Sequence, residues 1–190
     1  MSPSQNAPIF NAPDAVKWIC GVTLLAHVGR VFLDQEQSIA LLVDLAFISV
    51  RYSQAFFDNV GVQWQTVTSP VTYMLVHGDF THLLVNVLML LAFGSAVGRR
   101  MGKRQLILFY VLSGVAGAAF FAFLNAESFA PLIGASGAVA GMVGAVCFYS
   151  FAPSDPSNPM PFQSRQSTFG FIAMWVFLNF VLGALPPEIV

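Results

Sequence analysis

Between Leu132 and Phe151 the chain runs for twenty residues without one charged side chain, and inside that run stands Gly134-Ala135-Ser136-Gly137. Such a run matches the apolar thickness of a bilayer, which takes about 20 residues of helix to cross. Serine and glycine are common contact residues between helices in lipid, so the serine is unremarkable alone. It gains weight from a second polar cluster, His77, His82 and Asn86, on an apolar run upstream.

Composition makes lipid the solvent for much of this chain. Of its 190 residues 56% are hydrophobic and only 9% are charged, against about 25% charged in soluble domains. The formal charge of −1 says nothing about a nucleic-acid partner, but basic patches interleaved with aromatics are absent, so none is expected. Cys20 and Cys147 fall in apolar runs and make no disulfide framework. Residues 1–13 are polar and proline-containing and read as a flexible cytoplasmic lead-in, without the basic stretch and cleavage site of a signal peptide.

The fold class expected is all-α, a polytopic transmembrane helical bundle over residues 14–190. Spans are predicted at 15–33, 80–97, 105–124, 132–151 and 168–185. Lys17 and Arg30 are expected to snorkel to opposite interfaces from the first span, and His27 to be hydrogen-bonded within the bundle. The connection 34–70 is long for a plain loop and reads as embedded. Its Ile39–Val50 stretch is short and contains Asp44, which suits an interfacial or re-entrant piece, with Phe56, Phe57 and Trp64 at headgroup depth. Arg99, Arg100, Lys103 and Arg104, half of the eight basic residues, mark a cytoplasmic loop. Counting from there puts the N-terminus in the cytoplasm and Ser136 near the outer face. His82, Asn86 and Ser136 then share a depth of roughly 5–10 Å at 1.5 Å rise per residue. His82 and Asn86, four apart, share a helix face. Gly137 and Gly141 form a small-residue stripe that admits a close neighbour, with the second span and its Gly94 and Gly98 as the expected partner.

An uncharged serine needs a general base as it attacks, and the intermediate then needs donors where the oxyanion forms. An Asn amide and a His N–H on one helix face, with the serine backbone N–H, would supply donors typically worth about 3–4 kcal/mol each. The same side chains also serve as interhelical hydrogen-bonding groups, and on position alone both accounts stand. The histidine spacings give no metal-ligand constellation, so no metal or cofactor is expected.

His77-Gly78-Asp79-Phe80-Thr81-His82-Leu83-Leu84-Val85-Asn86, with Gly134-Ala135-Ser136-Gly137 two spans later, resembles the rhomboid family of intramembrane serine proteases. The resemblance covers the chain from about Val71 onward. It implies that Ser136 is the nucleophile, that His82 and Asn86 form the oxyanion site, and that His77, Gly134 and Gly137 support it. The implied substrates are transmembrane proteins, cut in or near their membrane segments, and the implied location is a multi-pass protein of a bacterial inner membrane.

Two departures from the family pattern stand out. Ser69-Pro70 occupies the place of a Trp-Arg pair that the family often carries in the first loop. The family's general base is a histidine on a sixth span, whereas the sequence ends at Val190 and has no histidine after His82. His82 matches an oxyanion position and nothing turns His27 toward Ser136, so neither is expected to serve as base. The expectation is a cut-short sequence, five spans of six, with little or no proteolytic activity of its own. The rivals are a non-catalytic rhomboid-like protein that binds transmembrane clients and a small transporter. The transporter would need a continuous polar face, which the third to fifth spans lack.

Overall fold

A computed structural model describes residues 12–151, 166 and 168–175. The chain divides into two compact units, Met1–Val143 and Gly144–Val190. The lead-in 1–11, most of the loop 153–167 and the fifth span beyond 175 lie outside the described residues. Within the second unit, 168–175 are helical, and Phe151 meets Phe169 at a ring distance of 5.6 Å.

Helix α1, Asp14–Val31, buries Ala15, Val16, Cys20 and Thr23 and turns Trp18, Leu25 and Val31 outward. Among the described residues two helices are long and apolar enough by themselves to cross a membrane: α5, Phe80–Gly98, and α6, Lys103–Leu124. In α6 the buried side is Leu106, Tyr110, Gly114 and Ala118, one residue per turn, while Leu108, Leu112, Phe120 and Phe123 face outward. Only 22% of its most apolar window is buried, which suits a helix in hydrocarbon and not the core helix of a soluble protein. The protein is a helical membrane bundle.

The 34–70 connection is built from short helices. Asp34 caps α2, Gln35–Leu45, by accepting from the Gln37 N–H at 2.8 Å. Eleven residues make about 16 Å of helix, short of the ~30 Å hydrocarbon core. Ala46, Phe47 and Ile48 then run buried, and Phe47 exchanges both backbone hydrogen bonds with Leu132, at 3.1 and 2.8 Å. After a 3-10 turn, Ser49–Tyr52, come α3, Gln54–Val60, and α4, Trp64–Thr72.

Ser69-Pro70 has a structural consequence. Proline has no N–H, so Pro70 inside α4 leaves the Thr66 carbonyl without its helical donor. The Tyr52 hydroxyl donates to that carbonyl at 2.8 Å and lies 3.1 Å from Ser69 Oγ. Beside it the buried Arg51 donates to the Val43 and Ala46 carbonyls at 3.2 and 3.3 Å, which ties the end of α2 to the 3-10 turn.

Two expectations are corrected. Helix α7 spans Ser136–Ser150, so Leu132–Ala135, expected as helix, is an extended strip and a turn. The pairing with Phe47 and a φ of +99° at Gly134 keep it out of the helix. The small-residue stripe of α7 packs on α6, not on α5. A Cβ on Gly117 would lie 3.0 Å from Gly137 Cα, and one on Gly141 would overlap the Ser113 side chain. Gly94 and Gly98 instead face Val16 and Pro13 at the start of α1. The Arg30 guanidinium is bound to the loop ahead of α5, as described below.

Gly141→Leu should lower the unfolding free energy by roughly 1–3 kcal/mol through overpacking against Ser113. Gly21→Ala, where no atom lies within 4 Å of the new methyl, should be neutral or slightly stabilising. Denaturant titration of both variants in mixed micelles measures the difference.

Candidate active site

Asp79 starts α5. Its carboxylate accepts from the His82 N–H at 2.9 Å, a capping contact that puts His82 in the first turn and Asn86 one turn further on the same face. Asn86 is buried, and one of its two amide protons goes back to the His82 carbonyl at 2.9 Å. The second amide proton remains for another acceptor.

The turn before Ser136 is built against this face. A Cβ at Gly134 would come within 2.6 Å of His82 Nε2 and 2.7 Å of Cε1, so the imidazole lies directly over the glycine backbone. The φ of +99° independently requires glycine there. Gly134 N–H donates to the Tyr73 carbonyl at 3.0 Å, and Ala135 N–H donates to His77 Nε2 at 3.3 Å. The two imidazoles meet edge to face with centroids 5.0 Å apart.

His77 is fully buried in the loop before α5. Because Nε2 accepts, the neutral ring carries its proton on Nδ1, which has no partner at hydrogen-bond geometry among the described residues. Burial above all, then the neighbouring imidazoles of His82 and His27, pushes the ring's pKa down to about 4, with the Leu75 carbonyl acting weakly in the opposite direction. The loop is clamped from α1: Arg30 Nη1 and Nη2 donate to the carbonyls of His77 and Gly78 at 2.7 and 3.0 Å.

Ser136 is the first residue of α7, with an exposed side chain that makes no hydrogen bond among the described residues. The first-turn N–H groups of a helix lack intrahelical partners and carry the positive end of its dipole. A serine oxygen and unpaired backbone donors therefore share one end of α7. The structure brings His77 and His82 against Gly134 and Ala135, and gives Ser136 Oγ no hydrogen bond to His82 or Asn86. His27 belongs to a different group, within electrostatic range of His77, Arg30 and Asp79. Its Nδ1 has no partner among the described residues, contrary to the hydrogen-bonded expectation. Among the described residues no cluster of His, Cys, Asp or Glu could hold a metal.

Sequence reasoning missed Tyr73. Its carbonyl holds Gly134, and its hydroxyl donates to the Gly114 carbonyl at 2.8 Å, filling the space where a Cβ of Gly137 would sit, 2.7 Å away. The available signal was a tyrosine in an apolar run, whose hydroxyl must find an acceptor when buried.

The Rhomboid domain family matches residues 61–190. Rhomboid protease GluP of Bacillus subtilis (strain 168) is 33% identical over 91 residues, covering 47% of this chain and 17% of its own. Rhomboid protease AarA of Providencia stuartii is 30% identical over 110 residues, 50% of this chain and 39% of its own. RHOMBOID-like protein 4 of Arabidopsis thaliana is 32% identical over 111 residues, 58% and 26% respectively. The chain spans less than half the length of the curated relatives it matches.

Two outcomes follow for the site. Tyr73→Phe should cost about 1 kcal/mol for the lost hydroxyl bond, and Gly134→Ala about 1–3 kcal/mol from the backbone alone. Thermal unfolding in bicelles resolves both. The His77 imidazole titrates near about 6.5 when unfolded and at about 4 when folded. Its contribution to stability is therefore complete above pH ~6.5 and lost as pH falls toward 4. The acid limb of a stability–pH curve should flatten in His77→Ala.

Proposed function

The chain belongs to the rhomboid family, and on that premise we propose that it is an intramembrane serine endopeptidase that cuts transmembrane proteins in or near their membrane segments. Ser136 is the nucleophile, and His82 and Asn86 supply the oxyanion site. The observation that carries this proposal is the Gly134 turn under the His82 ring, directly ahead of a serine whose side chain is exposed at the start of α7.

In the reaction, Ser136 Oγ bonds to the scissile carbonyl carbon as its proton passes to a base, and the carbonyl π electrons move onto oxygen. The His82 ring, the free Asn86 amide proton and the first-turn N–H groups of α7 are the donors for that oxygen. Collapse expels the amine with a proton, and water hydrolyses the acyl-serine. Substrate helices must unwind locally to expose the carbonyl, which favours helix-weakening residues at the cut. By the positive-inside rule, the basic cluster Arg99–Arg104 supports a placement of Ser136 in the outer half of the bilayer.

The proton acceptor is unassigned. His77 Nε2 is engaged by Ala135 N–H and His82 acts as donor, an occupancy that favours the competing reading, client binding without cleavage.

Fluorophosphonate labelling of the reconstituted chain, with and without added imidazole as an external base, separates the two. The protease reading expects labelling on Ser136 that imidazole accelerates and Ser136→Ala abolishes. His82→Ala or Asn86→Ala should each slow it by about 10²–10³-fold. No labelling at any imidazole concentration overturns the protease reading in favour of client binding. Rapid labelling without imidazole keeps the protease reading and identifies a base within the chain.

A further inference from the structure

Away from the serine, α1, α4 and α6 enclose an apolar groove of about 240 Å³, lined among others by Trp18, Val22, Val71, Met74, Ile107 and Val111. One water's share of liquid volume is about 30 Å³, so this is no packing defect. Almost no polar surface faces it, so water gains nothing there. Trp18, 65% exposed, forms part of its outer lip.

The charges at one end of the groove are its second feature. Lys103 stands four residues before Ile107 and eight before Val111, and therefore on the groove-facing side of α6. Asp14 stands four and eight residues before Trp18 and Val22 on α1. At 1.5 Å per residue the groove starts about 6 Å above both and reaches about 12 Å. The two helix starts meet: Pro13 and Leu106 both approach Gly98, and Lys103 lies within electrostatic range of Asp14. Asp14 is paired with Lys17 at 2.9 Å. Lys103 and Arg104, both exposed, leave the mouth with two cations beyond that pair.

We propose that this groove is a binding site for an anionic phospholipid, with an acyl chain in the apolar channel and the phosphate on Lys103 and Arg104. The helical membrane bundle puts the groove in contact with hydrocarbon, where an acyl chain is the apolar occupant at hand. The excess positive charge one turn below selects a negatively charged headgroup over a zwitterionic one.

The test uses Trp18 as reporter. In the full chain carrying Trp64→Phe and Trp175→Phe, fluorescence is measured in phosphatidylcholine vesicles. A minor fraction of either phosphatidylglycerol or phosphatidylcholine carries brominated acyl chains. The expected result is several-fold greater quenching by brominated phosphatidylglycerol, reduced to the phosphatidylcholine level by Lys103→Gln with Arg104→Gln. Filling the groove with Val111→Phe should reduce it likewise. Equal quenching by the two lipids overturns the proposal. So does a preference that survives Val111→Phe, which would be headgroup attraction without a groove. Shielding of Trp18 from both lipids also overturns it and indicates that a second copy covers this face.

Discussion

Backbone amides that leave a helix inside a bilayer have no water to turn to, and each one unpaired costs several kcal/mol. The strip Leu132–Ala135 leaves the helix just where the serine must be presented, and every amide pairing it makes is to another part of the bundle. Leu132 exchanges two hydrogen bonds with Phe47, Gly134 N–H goes to the Tyr73 carbonyl, and Ala135 N–H goes to His77. The position of Ser136 follows from these four bonds. Without them the apolar sequence 132–135 would continue α7 by another turn, and Ser136 would lie inside a helix, its backbone N–H consumed.

Each of the partners is itself held. Phe47 sits in an extended run whose flank is fixed by Arg51 on the Val43 and Ala46 carbonyls. Tyr73 is tied to α6 through its hydroxyl, and the His77 loop to α1 through Arg30. The embedded connection is thereby part of the site's support, because the one antiparallel bridge among the described residues joins it to the strip before Ser136. Close packing of α7 on α6 through Gly117, Gly137 and Gly141 sets the remaining side.

Hydropathy made α5 and α6 legible to within two residues, since long uncharged runs leave little choice in lipid. The structure brings His77 and His82 against Gly134 and Ala135, from segments more than fifty residues apart. What the sequence hid were contacts made by backbone. Among the described residues neither Arg30 nor Arg51 finds a carboxylate; both bind carbonyls, and carbonyls carry no residue identity. A charge near a helix end does not reveal in sequence which loop it clamps. The start of α7 was misplaced for the same reason, because the pairing partner of Leu132 lies 85 residues away at Phe47. The small-residue stripe on α7 was visible, but a stripe of glycines does not say which helix it receives.

The turn ahead of Ser136 depends on the protonation state of His77. A ring that accepts from Ala135 must be neutral with its proton on Nδ1, whereas a charged ring would repel that amide and release the turn. Nitrogen NMR of the histidine side chains in lipid bilayers reads this directly. The structure predicts that His77 keeps an unprotonated Nε2 from neutral pH down to about pH 5, titrating only near 4. An Nε2-protonated tautomer, or titration of His77 near the free-imidazole value, would contradict the arrangement on which the position of Ser136 rests.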